Sequence, residues 1–310
     1  MLMQLPHPPE HLCSGFLFVM SKKVLEVSET EFISLHLDTL IVRKHGARVT
    51  LPLKTLDTIL ITNPYCNISV PLLNKIVENN INLIVCNTKF QPTMQILPIS
   101  SYYSNKNYLW QIRWTDEQKN QIWKQLVKLK IINYARLINH LNITTDDNIE
   151  KLTNYYTNVV DGDLNNCEGH AAKLSFKLLY GEDFSRSQKD DIINKYLNYG
   201  YIVLMTYVSR TLVKNGLDNR IGIFHKSFNN HFALSCDIME PFRPIIDYLT
   251  FSYLIKNQND DFKSYKKDLF ISFENFIFPN GKNLNQVIDM LIKAIINNKI
   301  NERDFNIDWS

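Results

Sequence analysis

The chain has 310 residues, enough for one large domain or for two at roughly 100–200 residues each, and it can bury a substantial core. With 45% hydrophobic and 21% charged residues it is neither a disordered nor a fibrous sequence, and 9 Gly with 11 Pro exclude a collagen-like repeat. A net charge of +3 is too small to argue for a polyanionic partner, so a nucleic-acid reading has to come from a site.

Five cysteines, odd in number, far apart and without a C-x-x-C pair, fit neither a disulfide scaffold nor a four-thiolate zinc site; they point to a reducing, cytoplasmic setting. Residues 1–14, with Pro6, Pro8 and Pro9, read as an irregular extension. Residues 1–11 carry no Lys or Arg and the apolar run 15–20 is too short for the core of a signal peptide, so no export is expected.

Residues 15–100 are mostly short β-rich runs: GFLFVM, KVLEV, FISLHL, TLIVRK, ARVTLPL, DTILIT, NLIVCN and MQILPI. Their period-2 alternation, with turn residues such as His45-Gly46 and Asn63-Pro64, predicts a small β domain. One helix, over 70–79, should tuck against it, because Val70, Leu73, Ile76 and Val77 recur at helical spacing. The Ser/Tyr/Asn-rich stretch 101–107 reads as a linker.

From residue 108 the periods become helical. Thr115 can cap a helix with Gln118 answering three residues on, and Ile122, Leu126, Leu129 with Trp123, Val127, Ile131 make adjoining apolar rows towards Leu141. Further helices are expected near 149–160, 164–180, 187–214, 237–256 and 284–297, with Gly181 and Gly216 as stops. The uncharged run 196–209 is shorter than the ~20 apolar residues a membrane helix needs, so it reads as a buried helix and no membrane partner is expected. The fold class is therefore α+β: a small β-rich N-terminal domain followed by a larger all-helical domain over 108–310.

No G-x-G-x-x-G, H-E-x-x-H or G-x-S-x-G is present, and Asn280-Gly281-Lys282 lacks the upstream Gly of a P-loop. What remains is acids and histidines in unusual company. Glu168 lies near the start of a small, apolar helix, where it can also simply complement the helix dipole. His225 ends the apolar run Gly222-Ile223-Phe224 before a polar loop, a place that equally suits a structural histidine. Asp237 and Glu240, three apart, share a helix face and repel, which a cation relieves; Asp237 can instead act as an N-cap and Glu240 as a first-turn acid. If Glu168, His225 and Glu240 converge, two carboxylates and one imidazole make an oxygen-rich site for Mg2+ or Mn2+. His170 points to a different side of its helix from Glu168 and is left out, with His231 as a reserve.

At these residues the sequence resembles a known family. GDLNNCEGHAAKLSFKLLYGEDFSR (162–186), INKYLNYGYIVL (193–204), GLDNRIGIFH (216–225) and CDIMEPFRPIIDYL (236–249) closely resemble, in order and spacing, the CRISPR adaptation integrase, the metal-dependent endonuclease of spacer acquisition. The likeness runs from about residue 16 to residue 256, and the M-E-P-F-R-P form looks most like the type II variety.

The resemblance implies that Glu168, His225 and Glu240 are the catalytic metal ligands, with Asp237 as an accessory acid. It implies phosphodiester transesterification that inserts a short DNA fragment into a CRISPR array, with His225 neutral when it ligates and activity falling in acid. The implied partners are double-stranded DNA (captured fragment and CRISPR repeat), a second copy of the chain in a homodimer through the N-terminal domain, and a small ferredoxin-like CRISPR adaptation protein completing a heterohexamer. Arg210, Arg220, Lys226 and Arg243 flank the motifs as candidate DNA contacts. The rival reading is a catalytically silent DNA-binding scaffold whose acids only cap helices.

Overall fold

The computed structural model describes residues 24–29, 32–44, 46–56, 58–87, 92–96, 105–188, 191–225, 229–256 and 261–309. The expected extension over 1–14, the run 15–20, His45 and residues 101–104 of the expected linker lie outside the described residues.

Among the described residues, eight strands occupy the N-terminal third: β1 (Val24–Val27), β2 (Phe32–His36), β3 (Thr39–Lys44), β4 (Ala47–Pro52), β5 (Thr58–Ile61), β6 (Asn67–Ile68), β7 (Asn82–Cys86) and β8 (Pro92–Ile96). They form two four-stranded sheets, ordered β4-β3-β2-β6 and β1-β5-β7-β8. The first is built on antiparallel β2–β3 and β3–β4 pairs; in the second, β1, β5 and β7 run parallel. Helix α1 (Val70–Glu78) buries Leu72 and Ile76 in the core between them, with Ile33, Leu40, Ile59 and Leu83.

Simple alternation fails in the second sheet. β5 is buried at all four residues, because Ile59 faces the N-terminal core while Leu60 joins Ile84 and Cys86 on the opposite face. Parallel sheets covered on both sides read as continuous apolar runs. Across this sheet the two parts of the chain meet. Buried Glu26 on β1 accepts hydrogen bonds from Thr62 Oγ1 (3.0 Å), Tyr199 OH (2.7 Å) and Lys266 Nζ (2.7 Å).

The later described residues are mostly helical: α2 (Asn105–Gln111), α3 (Asp116–Leu141), α4 (Asp146–Thr157), α5 (Cys167–Tyr180), α6 (Ile192–Lys214), α7 (Ala233–Met239), α8 (Arg243–Lys256), α9 (Phe262–Asn275) and α10 (Leu284–Ile296). Thr115 caps α3 with the expected reciprocal bonds to Gln118. Residues 105–107, expected as the end of a linker, instead start α2. The helix expected over 187–214 starts only at Ile192, where the Asp191 side chain caps it. The helix expected over 237–256 is broken: α7 ends at Met239, one 3-10 turn spans Glu240–Phe242, and α8 follows. α6 lies in the middle of the helical core, and α8 crosses it closely at Gly200, where a Cβ would come within 2.5 Å of Ile246. Among the described residues no helix is long and apolar enough to cross a membrane.

Candidate active site

Four elements bring the motif residues together. α5 starts when Asp163 turns its carboxylate onto the backbone N–H groups of Cys167 and Glu168, both at 2.9 Å. That cap fixes Glu168 in the first turn, its side chain 26% exposed. Opposite stands α3 with Lys130, whose side chain is only 3% exposed. The 3-10 turn after α7 then delivers Glu240, 4% exposed.

Lys130 joins these carboxylates. Its ammonium donates to Glu168 Oε1 and to Glu240 Oε2, so both acids converge on one cation. Arg243, at the start of α8, donates from Nη1 to the other oxygen of Glu240 at 2.7 Å. Burial alone would push the Glu240 carboxyl up, but the Arg243 and Lys130 charges outweigh it and hold the group down at about 2. The Arg243 guanidinium lies 4.2 Å over the Tyr201 ring, and the Tyr201 and Tyr134 hydroxyls both donate to buried Asp247 on α8. Desolvation raises Asp247, against the lowering effect of those two donors.

His225 is held by Asp237. The loop 216–225 folds back over α7, and Asp237, fully buried, accepts the backbone N–H of Ile223 (2.6 Å), Phe224 (3.2 Å) and His225 (3.1 Å). Its Oδ1 also lies 2.6 Å from His225 Nδ1. Gly222 is required for this closure, since a Cβ there would stand 2.6 Å from the His225 carbonyl oxygen and 3.1 Å from the Asp237 carboxylate. The N-cap role expected for Asp237 is therefore corrected: it lies inside α7, four residues past the first residue, Ala233, and its bonds go to a distant loop. The hydrogen bond to Asp237, helped by Asp237 and Glu240 charge against the opposing effect of burial, raises the His225 pKa above its ordinary 6.5.

α3 backs both halves of the site. Trp123 stacks on Phe224 with ring centroids 4.3 Å apart and meets His225 edge-on at 6.0 Å. Trp123 and Lys130 are seven residues apart on one face, about 10 Å along the axis.

The structure thus brings Glu168 and Glu240 to one cation on α3 and sets the loop residue His225 against Trp123 of that same helix. It does not close all three on one point: among the described residues no group of three His, Cys, Asp or Glu side chains is arranged to hold a metal. The donor set nonetheless suits a hard divalent ion, because two carboxylates already share a cation and Asp237 engages Nδ1, so Nε2 is the ring nitrogen that could ligate.

The other candidates are distributed differently. His170 stacks on Tyr155, away from the site. His231 lines a separate cleft of about 400 Å³ with Arg220, whose guanidinium pairs with Asp218. Arg210 is half-buried on α6, and Lys226 lies outside the described residues. Arg243, expected to contact DNA, is engaged by Glu240.

Sequence reasoning passed over Lys130, Asp163, Tyr201 and Asp247. For Lys130 a signal existed: it falls on the apolar stripe of Trp123, Leu126 and Val127, where a lysine needs a buried counter-charge.

With the geometry in hand, likeness to known proteins is informative. The family model described as "CRISPR associated protein Cas1" matches residues 25–275. A relative from Neisseria meningitidis serogroup C (strain 8013), named CRISPR-associated endonuclease Cas1, is 34% identical over 216 residues, covering 69% of this chain and 70% of the relative. In fold, the chain is similar to a casposase bound to integration product (TM-score 0.76, 17% identity, 93% of this chain and 94% of that one). It is equally similar to a Cas1 protein from Thermotoga maritima (TM-score 0.75, 17% identity, 92% and 99%).

Proposed function

The chain belongs to the CRISPR-associated Cas1 family, and from that premise we propose that it is a metal-dependent DNA integrase and endonuclease of spacer acquisition. It joins the 3′-hydroxyl ends of a short double-stranded DNA fragment to the repeat of a CRISPR array. The observation that carries this reading is the convergence of Glu168 and Glu240 on one cation beside a histidine oriented by Asp237. The relative's name, an endonuclease, and the casposase's bound integration product support it.

In this reaction one phosphodiester bond forms as another breaks: the 3′-oxygen of the fragment attacks the repeat phosphate, and the displaced 3′-oxygen of the repeat strand leaves and takes up a proton. Glu168, Glu240 and the Nε2 of His225 would hold Mg2+ or Mn2+. When bound, the ion supplies Lewis-acid stabilisation of charge on the attacked phosphate. The protein prepares the donors. Asp237 fixes the imidazole with its proton on Nδ1, and Arg243 keeps Glu240 ionised throughout the physiological range. Asp247 anchors Tyr201 under Arg243. The working assembly in this reading is a heterohexamer, two homodimers of this chain bridged by a small ferredoxin-like partner, of the type II variety.

A second reading, a silent DNA-binding scaffold, is favoured by one observation: Lys130 and Arg243 already neutralise the two acids as a structural ion pair would. The two are separated by joining a labelled DNA end to a repeat-containing plasmid, with the small partner present, in Mg2+ or Mn2+ and in EDTA. Joining with metal and none in EDTA is expected; no joining under any condition leaves the scaffold.

A further inference from the structure

Lys130 stands where a metal-binding site has no need of a lysine. It is buried, it lies on the inward stripe of a long helix, and its ammonium touches both carboxylates proposed as metal ligands. Glu168 and Glu240 carry two negative charges, and Lys130 and Arg243 carry two positive ones, so this cluster is neutral as it stands. A divalent ion entering without any displacement would add two positive charges beside the buried Lys130 ammonium. Like charges at such range repel strongly in a low dielectric.

We propose that Lys130 is the resident counter-ion of the metal site: it holds Glu168 and Glu240 together in the metal-free protein and competes with the divalent cation for them. This rests on the metal-dependent reading above and adds a regulation of the same site. Lys130 keeps the acids from repelling each other, so the site stays assembled when empty. The same contacts weaken metal binding, because an arriving ion must take at least one carboxylate from the ammonium. Lys130 is a positioning residue in this account, acting through the two glutamates.

The competition also explains why three ligands are not gathered on one point. With the ammonium between the two acids, one oxygen of each is directed to Lys130 and the second oxygen of Glu240 to Arg243, none of the three to the His225 ring.

The test is Mn2+ binding by isothermal titration calorimetry to the full chain, comparing wild type, Lys130→Met and Glu168→Gln, with thermal melts in EDTA. Lys130→Met should bind Mn2+ about tenfold more tightly than wild type or better, since a like charge has been removed from the site. It should melt lower in EDTA and gain more from Mn2+ than wild type does. Mn2+ binding that Glu168→Gln abolishes but Lys130→Met leaves unchanged or weakens overturns the counter-ion role alone. Absence of Mn2+ binding in both wild type and Lys130→Met overturns that role and the metal-dependent reading together.

Where Lys130→Met does not fold, the wild-type protein decides. Acylation by a water-soluble N-hydroxysuccinimide ester, read by peptide mass spectrometry, should find Lys130 protected in EDTA and several-fold more reactive in saturating Mn2+, with Lys124 on the same helix unchanged. Equal reactivity of Lys130 in both conditions overturns the proposal.

Discussion

Asp237 holds His225 at two points, with one carboxylate oxygen 2.6 Å from the ring Nδ1 and 3.1 Å from the backbone nitrogen of the same residue. Its other oxygen takes the N–H groups of Ile223 and Phe224. One buried acid therefore sets both the path of the loop and the face of the imidazole. Asp237→Ala strands three backbone donors and should cost about 2–4 kcal/mol, a drop of several degrees in the melt, together with strand joining. Asp237→Asn, which retains one acceptor, should melt closer to wild type yet still join poorly. A variant that melts lower but joins at full rate would make Asp237 a purely structural residue.

The same pair gives the metal-free protein a pH signature. Because the folded His225 binds its proton more tightly than an ordinary histidine of pKa 6.5, its contribution to stability is complete below that value and is lost as pH rises through the raised one. In EDTA, the melting temperature of wild type relative to His225→Ala should be highest below the ordinary histidine pKa of 6.5 and lose that margin as pH rises above it through the raised folded value. Mn2+ should act in the opposite sense, stabilising more as pH rises, because ligation needs the neutral ring. A margin that does not change with pH would separate His225 from the Asp237 charge.

Glu168→Ala, His225→Ala and Glu240→Ala should each abolish joining, but they should not be equally benign to the fold. Glu240 lies between the buried Lys130 and the part-buried Arg243, so its removal leaves both cations undercompensated and should cost about 3 kcal/mol or more. Glu168 is more exposed, and Glu168→Ala should melt closer to wild type. Glu240→Gln offers a gentler probe. Paired melts and joining assays on the four variants check this; full joining by any of them removes that residue from the site.

DNA binding should survive chelation although joining does not, since phosphate contacts from Lys and Arg need no metal. With a net charge of +3, the chain alone should bind duplex DNA modestly, log K falling by ~0.9 per phosphate neutralised as log salt rises. A salt titration with and without EDTA checks this; binding that disappears in EDTA would mean that the metal organises the DNA surface itself.

Much of this was legible in the sequence, and the misses have physical causes. The Thr115–Gln118 box, the order of strands before helices and the position of Glu168 near a helix start follow from local rules that tertiary context left in force. Asp237 was misread because an Asp ahead of Glu-Pro has the form of a local cap, while its partners sit in a loop more than ten residues upstream. The break at Glu240–Phe242 is invisible to apolar spacing, which continues through it. α9 carries Tyr265, Leu269, Phe270 and Phe273 at helical spacing, a signal present in the sequence, and α2 starts inside a Ser/Tyr/Asn-rich stretch that has the composition of a linker. Lys130 was anomalous on its stripe, but only the fold could name its partners as two glutamates from elements 38 and 110 residues away.

Anomalous diffraction from crystals of the full chain grown in Mn2+ measures most directly whether Glu168, His225 and Glu240 share one divalent ion. One strong peak directly coordinated by both carboxylates and by Nε2 of His225, with the Lys130 ammonium moved off at least one glutamate, is the predicted result. Saturating Mn2+ with no peak there, and Lys130 still bridging Glu168 and Glu240, would contradict it.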